Sequence, residues 1–412
     1  MDSVKSPLRA VRVMATHSKT PSGSRTSVVR VRQLFAAETG NYFLLLGVTL
    51  FLVIFGLVMV LSSSSVTSFN RTDSFFDKFE KQGVFVLLGI PLMLIASAMP
   101  PRFWKRWANL GILIALGLQF LTVATPLGSG HQGNVNWIDL GPIRIQPSEI
   151  IKLTLALWLG VVLARKQPVI SDWKKVAIPA GPVAGAAVGL VMMGHDLGTA
   201  IIITALILGA LFFAGVRLRH LAVLVGVLVA ATLYMSLATD SRQSRIDVWK
   251  SGCTSSSDFE NVCWQTVHGW WALASGGVFG VGLGGSKAKW SWLPEADNDF
   301  IFAIIGEELG LVGAILVLVL YALLAIAFVR VIRANPDPFA KITVSAIMVW
   351  LISQALVNIA VVLGLLPVLG VPLPFMSAGG TALISAMVAV GVALSFARKP
   401  SATRHPTFQE RS

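Results

Sequence analysis

The chain has 412 residues, of which 55% are hydrophobic and only 13% charged, and its mean hydropathy is +0.74. A soluble domain of this length needs more surface charge, so a bilayer is the expected solvent, and the net charge of +13 reads as a cationic cytoplasmic face rather than a nucleic-acid surface. Two cysteines, Cys253 and Cys263, exclude a disulfide-scaffold fold and a cysteine-built zinc site.

Residues 1–40 are basic and polar and lack an apolar core, which argues against a cleavable signal and predicts a disordered cytoplasmic tail drawn to anionic membrane lipid. Ten apolar runs follow, near 42–62, 83–99, 107–126, 147–164, 176–194, 198–216, 219–238, 300–329, 341–364 and 379–397, each close to the length a spanning helix needs. With the N-terminus placed in the cytoplasm, 23 of the 33 Lys and Arg fall on inner segments, among them Arg102, Lys105, Arg106, Lys166, Lys174, Arg330 and Lys341. The even number of runs returns the C-terminal tail, 398–412, to the same side. The fold expected is therefore all-α and polytopic: a ten-helix membrane domain over 41–397 in the plasma (inner) membrane, with one large extracytoplasmic loop at 239–299.

Ionisable residues at membrane depth are expensive and so are functional candidates by default. The first group is Arg144-Ile-Gln146-Pro-Ser148-Glu149-Ile-Ile-Lys152, which opens the fourth run. Pro147 suits a first helical turn, and Glu149 and Lys152, three apart, share one helix face. The pair reads either as an internal ion pair that fixes packing or as part of an outer-leaflet pocket where Arg144 and Lys152 meet a phosphate. Asp196, in the tight connection between the fifth and sixth runs, reads either as a buried functional acid or as a cap on the next helix.

In the outer loop, Trp270–Gly285 is too short and too glycine-rich for a span and fits a re-entrant or interfacial segment covered by protein. Gly280–Gly285 matches a dinucleotide fingerprint in form only, since no strand precedes it and no βαβ unit surrounds it. Cys253 and Cys263 lie on the oxidising side, as a structural disulfide or as two free thiols. Next comes Leu293-Pro-Glu295-Ala-Asp297-Asn298-Asp299, at the start of the eighth run. Asp299 is either a helix cap or a base held beside apolar surface. Glu307 and Glu308, two turns further in, need partners, and Lys152 is one candidate. The last group, Pro367–Gly380, ends in Ser377-Ala-Gly379-Gly380 and carries no charge; it reads either as a packed loop or as a re-entrant lining for an amphiphilic ligand. The six histidines form no metal spacing, and no Walker loop or kinase motif occurs, which argues against an ATP-driven cytoplasmic enzyme.

Taken in this order, the segments Gln146-Pro-Ser148-Glu149-x-x-Lys152, Asp196-Leu-Gly-Thr199, Ala274-Ser-Gly-Gly277, Leu293-Pro-Glu295-Ala-x-x-Asp299-Phe-Ile-Phe, Gly306-Glu-Glu-Leu-Gly310 and Pro374-Phe-x-Ser377-x-Gly379-Gly380 resemble those of the SEDS proteins (shape, elongation, division and sporulation). The basic N-terminal extension and Gly56–Ser64 look more like the division branch than the elongation branch. The resemblance implies a peptidoglycan glycosyltransferase that polymerises lipid II at the outer face, with Asp299 as the essential acid and Glu149 and Lys152 as the motif's acid–base pair. Arg144, Gln146, Ser148, Asp196, Glu295, Asp297, Ser377, Gly379 and Gly380 complete the expected substrate site.

A divalent cation such as Mg²⁺ or Mn²⁺ is one candidate counter-charge for the leaving pyrophosphate; no nucleotide is implied. The implied partners are lipid II, the undecaprenyl-pyrophosphate-linked glycan, a class B penicillin-binding protein transpeptidase and other divisome proteins at the division septum. This chain departs from the family at Asp297-Asn298, where His and Thr are frequent, at His195, where Pro is usual, and before Trp137, where an Arg is common. Two rival readings are a lipid II flippase and a non-catalytic divisome scaffold.

Overall fold

The computed structural model describes residues 39–131, 134–139, 141, 144–237, 249, 252–253, 263–290 and 292–398, apart from the side chains of Arg71 and of 228–237. The two expected tails, apart from their innermost residues, and most of 239–262 lie outside the described residues.

Helices stand at all ten expected runs. They are α1 (Gly40–Thr72), α2 (Asp77–Ala98), α3 (Pro101–Ala124), α4 (Pro147–Arg165), α5 (Trp173–Met193), α6 (Leu197–Ala214), α7 (Leu218–Leu237), α9 (Ile301–Ala334), α10 (Pro338–Val362) and α11 (Gly380–Ala397). Among the described residues, nine of them are long and apolar enough to cross a membrane, and in α7 the shorter stretch Leu218–Val227 is apolar. An eleventh helix, α8 (Trp264–Gly276), lies in the large loop.

Local chemistry sets the helix ends. Pro101, Pro147 and Pro338 occupy first helical positions, where a missing N–H costs nothing. Thr39, Asp172, Asp196 and Asp337 cap α1, α5, α6 and α10 by accepting backbone N–H groups with their side chains. The core runs through α4, α10 and α11: α4 packs on α3, α6 and α10, and α11 packs on α2. Small residues let these helices approach, because lipid supplies no hydrophobic drive between them. A Cβ on Gly391 would strike the Met93 carbonyl, and one on Gly209 would meet Val349.

Three features differ from the sequence expectation. First, α1 continues about three turns beyond residue 62. Along its Ser-rich end, Ser64, Ser65 and Thr67 return their hydroxyls to carbonyls three or four residues back, so these polar groups are satisfied within the helix itself. Second, the segment before α4 is a small antiparallel sheet, β1 (Gly128–His131), β2 (Asn134–Asp139) and β3 (Arg144–Ile145), in the order β1-β2-β3. Ser129 pairs with Trp137 and Asp139 with Arg144, with a register shift after Ser129. Third, α9 breaks at Gly310, where φ is +66°. Residues 277–282 fill the break: Val281 and Gly282 donate to the carbonyls of Glu307 and Glu308, and the N–H groups of Leu311 and Val312 donate to Gly277 and Val278. Irregular backbone at this depth is tolerated because these groups satisfy one another, and the Trp270–Gly285 stretch is thus half helix and half return loop, bonded to α9 through its backbone while Phe279 and Leu283 stay exposed.

Candidate active site

The ends of α1, α3, α5, α7 and α10 and the starts of α2, α4, α6, α9 and α11 lie toward one end of the bundle by simple alternation of the chain, and nearly every expected site residue belongs to that end. Glu149 and Lys152, on the first two turns of α4, form an ion pair of 2.7 Å, and both side chains are almost completely buried. The Lys152 ammonium also donates to Gln354 Oε1 at 2.9 Å and lies 5.0 Å from the centre of the Trp350 ring. Trp350 Nε1 donates to the same Gln354 oxygen, and Gln354 Nε2 donates to the Pro372 carbonyl at 2.9 Å. Ser385 on α11 donates to the Glu149 carbonyl. The pair therefore ties α4, α10, α11 and the loop 363–379 together. A small cleft opens among them, lined by Glu149, Trp350, Gln354, Phe375, Ser377 and Gly379. Ser148 is buried beside the pair, and Gln146 precedes the first turn as its cap position.

Asp299 precedes Phe300, the cap residue of α9, and is half-buried. It does not line that cleft. A Cβ placed on Gly370 would lie 3.6 Å from its Oδ2, so its carboxylate faces the middle of the loop 363–379. Asn358 on α10 clamps the two segments by donating one amide to both the Asp299 carbonyl at 2.8 Å and the Val371 carbonyl at 2.7 Å. Ser377 adds a second clamp: its hydroxyl donates to the Asn298 carbonyl at 2.7 Å and accepts from the Leu373 N–H at 2.8 Å. The Ala378 N–H donates to the Asp297 carbonyl. From α2, Gln82 donates to the Ser377 carbonyl and accepts from the Gly379 N–H, while a Cβ on Gly380 would collide with Phe85.

Asp297 is buried and pairs with Lys78, on the first turn of α2, at 2.6 Å. Glu295 is exposed, with φ +53°; its carbonyl accepts from Asn298 and Phe300, so its left-handed backbone closes the turn into Asp299. Three of the five non-glycine residues with positive φ among the described residues, His195, Glu295 and Phe375, sit in these loops. Such backbone persists only where its surroundings hold it in place.

Asp196 is buried. Its Oδ1 accepts the Thr199 N–H at 2.8 Å and its Oδ2 accepts from Asn136 of β2 at 3.0 Å. Burial raises its pKa above the ordinary 3.8, against the opposing pull of the Thr199 hydrogen bonds and the Lys152 charge. Arg144 stays largely exposed, paired with Asp139 at 3.1 Å across the β2–β3 ladder, and its carbonyl accepts from Thr381.

Glu307 and Glu308 find partners other than Lys152, which is committed to Glu149. Glu308 pairs with Lys289 at 3.3 Å and accepts from Ser62 of α1. Glu307 accepts from Ser286, Ser275 and the Lys287 N–H. Both carboxylates hold the glycine-rich return loop. Cys253 and Cys263 are joined as a disulfide. Among the described residues no three carboxylate, imidazole or thiol groups converge on a point, so the side chains here do not form a cage for a divalent cation.

Lys78, Gln82, Gln354 and Asn358 were not singled out from the sequence. Three are amides in or at the edge of apolar runs, and extending the membrane-depth argument from charges to amides would have found them; Lys78 lies outside any run and gave no signal.

The model of the FtsW/RodA/SpoVE family, described as a cell cycle protein, matches residues 42–402. A probable peptidoglycan glycosyltransferase FtsW of Mycobacterium tuberculosis is 35% identical over 380 residues, covering 91% of this chain and 72% of that one. Among solved structures, the rod shape determining protein RodA of Thermus thermophilus superposes with a TM-score of 0.65 at 25% identity, covering 88% of this chain and 98% of its own. A chain from a peptidoglycan synthase complex, solved to explain how polymerization and crosslinking are coordinated, superposes with a TM-score of 0.71 at 25% identity, covering 86% and 96%.

Proposed function

The chain belongs to the FtsW/RodA/SpoVE family and is an FtsW-like peptidoglycan glycosyltransferase of cell division, and from that premise we propose that Asp299 is the base of glycan polymerisation. The acceptor is lipid II. Its sugar 4-hydroxyl gives a proton to the Asp299 carboxylate as the oxygen bonds to the anomeric carbon of the growing strand. The bond from that carbon to the pyrophosphate breaks, the configuration inverts, and undecaprenyl pyrophosphate leaves. The observation that carries this reading is the double clamp on Asp299. Asn358 and Ser377 fix the backbone on either side of a carboxylate whose Oδ2 faces Gly370 in the loop 363–379. A single base supplies about 10²–10⁴-fold, so positioning of the two lipid-linked substrates supplies much of the remainder.

Charge on the leaving pyrophosphate is offset by exposed Arg144 and by Lys78, whose side chain is about a quarter exposed at 26%. Lys152 acts otherwise: its ammonium is buried against Glu149 and Gln354 and holds the cleft in shape. The reaction face is the outer one, both termini are cytoplasmic, and the enzyme works at the septum with a class B penicillin-binding protein transpeptidase that cross-links its product and with other divisome proteins.

The test is glycan-strand formation from lipid II by the purified, reconstituted chain. Asp299→Asn and Asp299→Ala are expected to lower the rate by roughly 10²-fold or more while leaving thermal unfolding unchanged. Full activity in either variant overturns the assignment.

A further inference from the structure

The coupling step makes no use of a group of tryptophans on the segment that leads to Asp299. Trp264, at the start of α8, and Trp292 stack with centroids 6.0 Å apart and planes 12° apart. His268 lies against both, 4.0 Å from Trp264 and 5.8 Å from Trp292, and Trp271 meets His268 edge-on at 4.8 Å. Gln265 donates to the Pro294 carbonyl at 3.2 Å, and Gly269 packs on the Phe300 ring, so α8 is fixed to the residues on both sides of Asp299.

Two properties of the group point to a ligand. Trp271 and Trp292 keep 56% and 55% of their surface exposed. His268 is buried, and its Nδ1 faces the Trp264 carbonyl at 2.7 Å; a carbonyl only accepts, so the proton is on Nδ1. Its Nε2 is then a buried acceptor with no hydrogen-bond partner among the described residues, which folding leaves unpaid unless a donor arrives. An interfacial aromatic belt accounts for exposed tryptophans, but it does not call for a buried acceptor among them.

A pyranose ring has apolar C–H faces and a rim of hydroxyl and amide donors, which suits flat indoles beside one acceptor. We propose that Trp271 and Trp292, backed by Trp264 and His268, form a subsite for the N-acetylated amino-sugar strand. It stacks a sugar of the growing glycan and holds the strand between couplings, with a rim N–H or O–H reaching His268 Nε2. The subsite rests on the polymerase reading above and assigns it a residue set for processivity.

The experiment uses the full chain, in lipid vesicles and in detergent, and reads both the initial rate of lipid II consumption and the length of the strands. Trp292→Ala and Trp271→Ala are expected to shorten strands roughly fivefold, the retention that about 1 kcal/mol of ring contact provides, with the initial rate within about twofold of the parent. Trp292→Phe and His268→Phe separate the parts: the first keeps a stacking face and restores most of the length, and the second keeps the stack, removes the acceptor and shortens strands. Chitohexaose, a soluble β-1,4-linked N-acetylglucosamine oligomer, is expected to shorten the parent's strands and to leave those of Trp292→Ala unchanged. The proposal is overturned by unaltered strand length in both alanine variants. It is equally overturned by parallel loss of rate and length that Phe does not rescue, or by an effect present in vesicles and absent in detergent, which would make the group a membrane belt. A parent protein that forms no glycan at all would overturn the polymerase reading itself, and the subsite with it.

Discussion

Asp196 shows how one buried carboxylate serves as cap and constraint together. Burial raises its pKa, so the folded chain holds that proton more tightly than the unfolded chain does. Its ionised form therefore costs stability: the contribution is most favourable below the ordinary 3.8, declines as the pH rises through the raised folded value, and is flat above it. Asp196→Asn keeps an oxygen for the Thr199 N–H. The Asn136 amide, whose Oδ1 has no hydrogen-bond partner among the described residues, can turn over to accept from the new amide. The Asn variant is expected to be at least as stable as the parent near neutral pH and to lose this pH dependence, whereas Asp196→Ala loses the cap at about 1–2 kcal/mol; thermal unfolding of detergent-solubilised protein across pH measures both. Lys78 and Asp297 give a second case. Removing Lys78 leaves a buried carboxylate two residues from Asp299 without its ion partner. Lys78→Met is expected to lower polymerisation about tenfold or more, and Lys78→Met with Asp297→Asn to recover part of that loss, the coupling that a double-mutant cycle reads. If the double variant is as impaired as the sum of the singles, the pair has no shared role. The Glu149–Lys152 pair was legible in the sequence because its spacing is local. Lys78 and Asp297 are 219 residues apart, and nothing along the chain announces that they meet.

At the scale of elements, the break in α9 and the loop that fills it act as one unit. The run over Ile301–Ala334 is apolar throughout, so it reads as a single span, and a glycine inside such a run is ordinary; only the positive φ of Gly310 reveals the break. Glycines in the stretch before it let the backbone approach α9 closely at particular positions. The structure gives the reason: a Cβ on Gly276 would overlap the Gly306 carbonyl and meet Glu307 Cα, and one on Gly280 would overlap Glu308. Neither neighbour is a flexible side-chain tip, so the backbone itself must move. Gly276→Ala is expected to separate α8 from α9, lowering the unfolding temperature and the polymerisation rate together. Gly181→Ala, in α5 with nothing within 4 Å of the added carbon, is expected to change neither. Equal behaviour of the two variants, by thermal unfolding and strand formation, would show that the packing of α8 on α9 is not what positions Phe300 and Asp299. The β1–β3 sheet escaped the sequence reading for a different reason. Its strands are two to six residues long, and the alternation in Asn134–Asp139 is too short to stand out beside ten apolar runs.

Across the whole molecule, the site exists because alternation of the chain brings five helix starts and the loop 363–379 to one end, although the residues concerned are spread from 78 to 380. Which way that end faces decides whether the proposed chemistry is possible, since that proposal places lipid II and the cross-linking partner on the outer face. The distribution of Lys and Arg is the physical basis for the choice: short loops rich in cations stay in the cytoplasm, which is the expected side for Arg165, Lys166, Lys174 and Lys175 around the connection of α4 and α5. The opposite end carries Asp299, the disulfide Cys253–Cys263 and exposed Lys287. Because both native cysteines are oxidised, a new cysteine reports on its own position. Ser171→Cys lies exposed between α4 and α5, and Lys287→Cys lies exposed on the return loop. A membrane-impermeant maleimide is expected to label Lys287→Cys in intact spheroplasts and Ser171→Cys only after permeabilisation, with each variant keeping polymerase activity. The reverse pattern would turn Asp299 toward the cytosol, where the growing strand is absent, and the catalytic reading would fall with the topology.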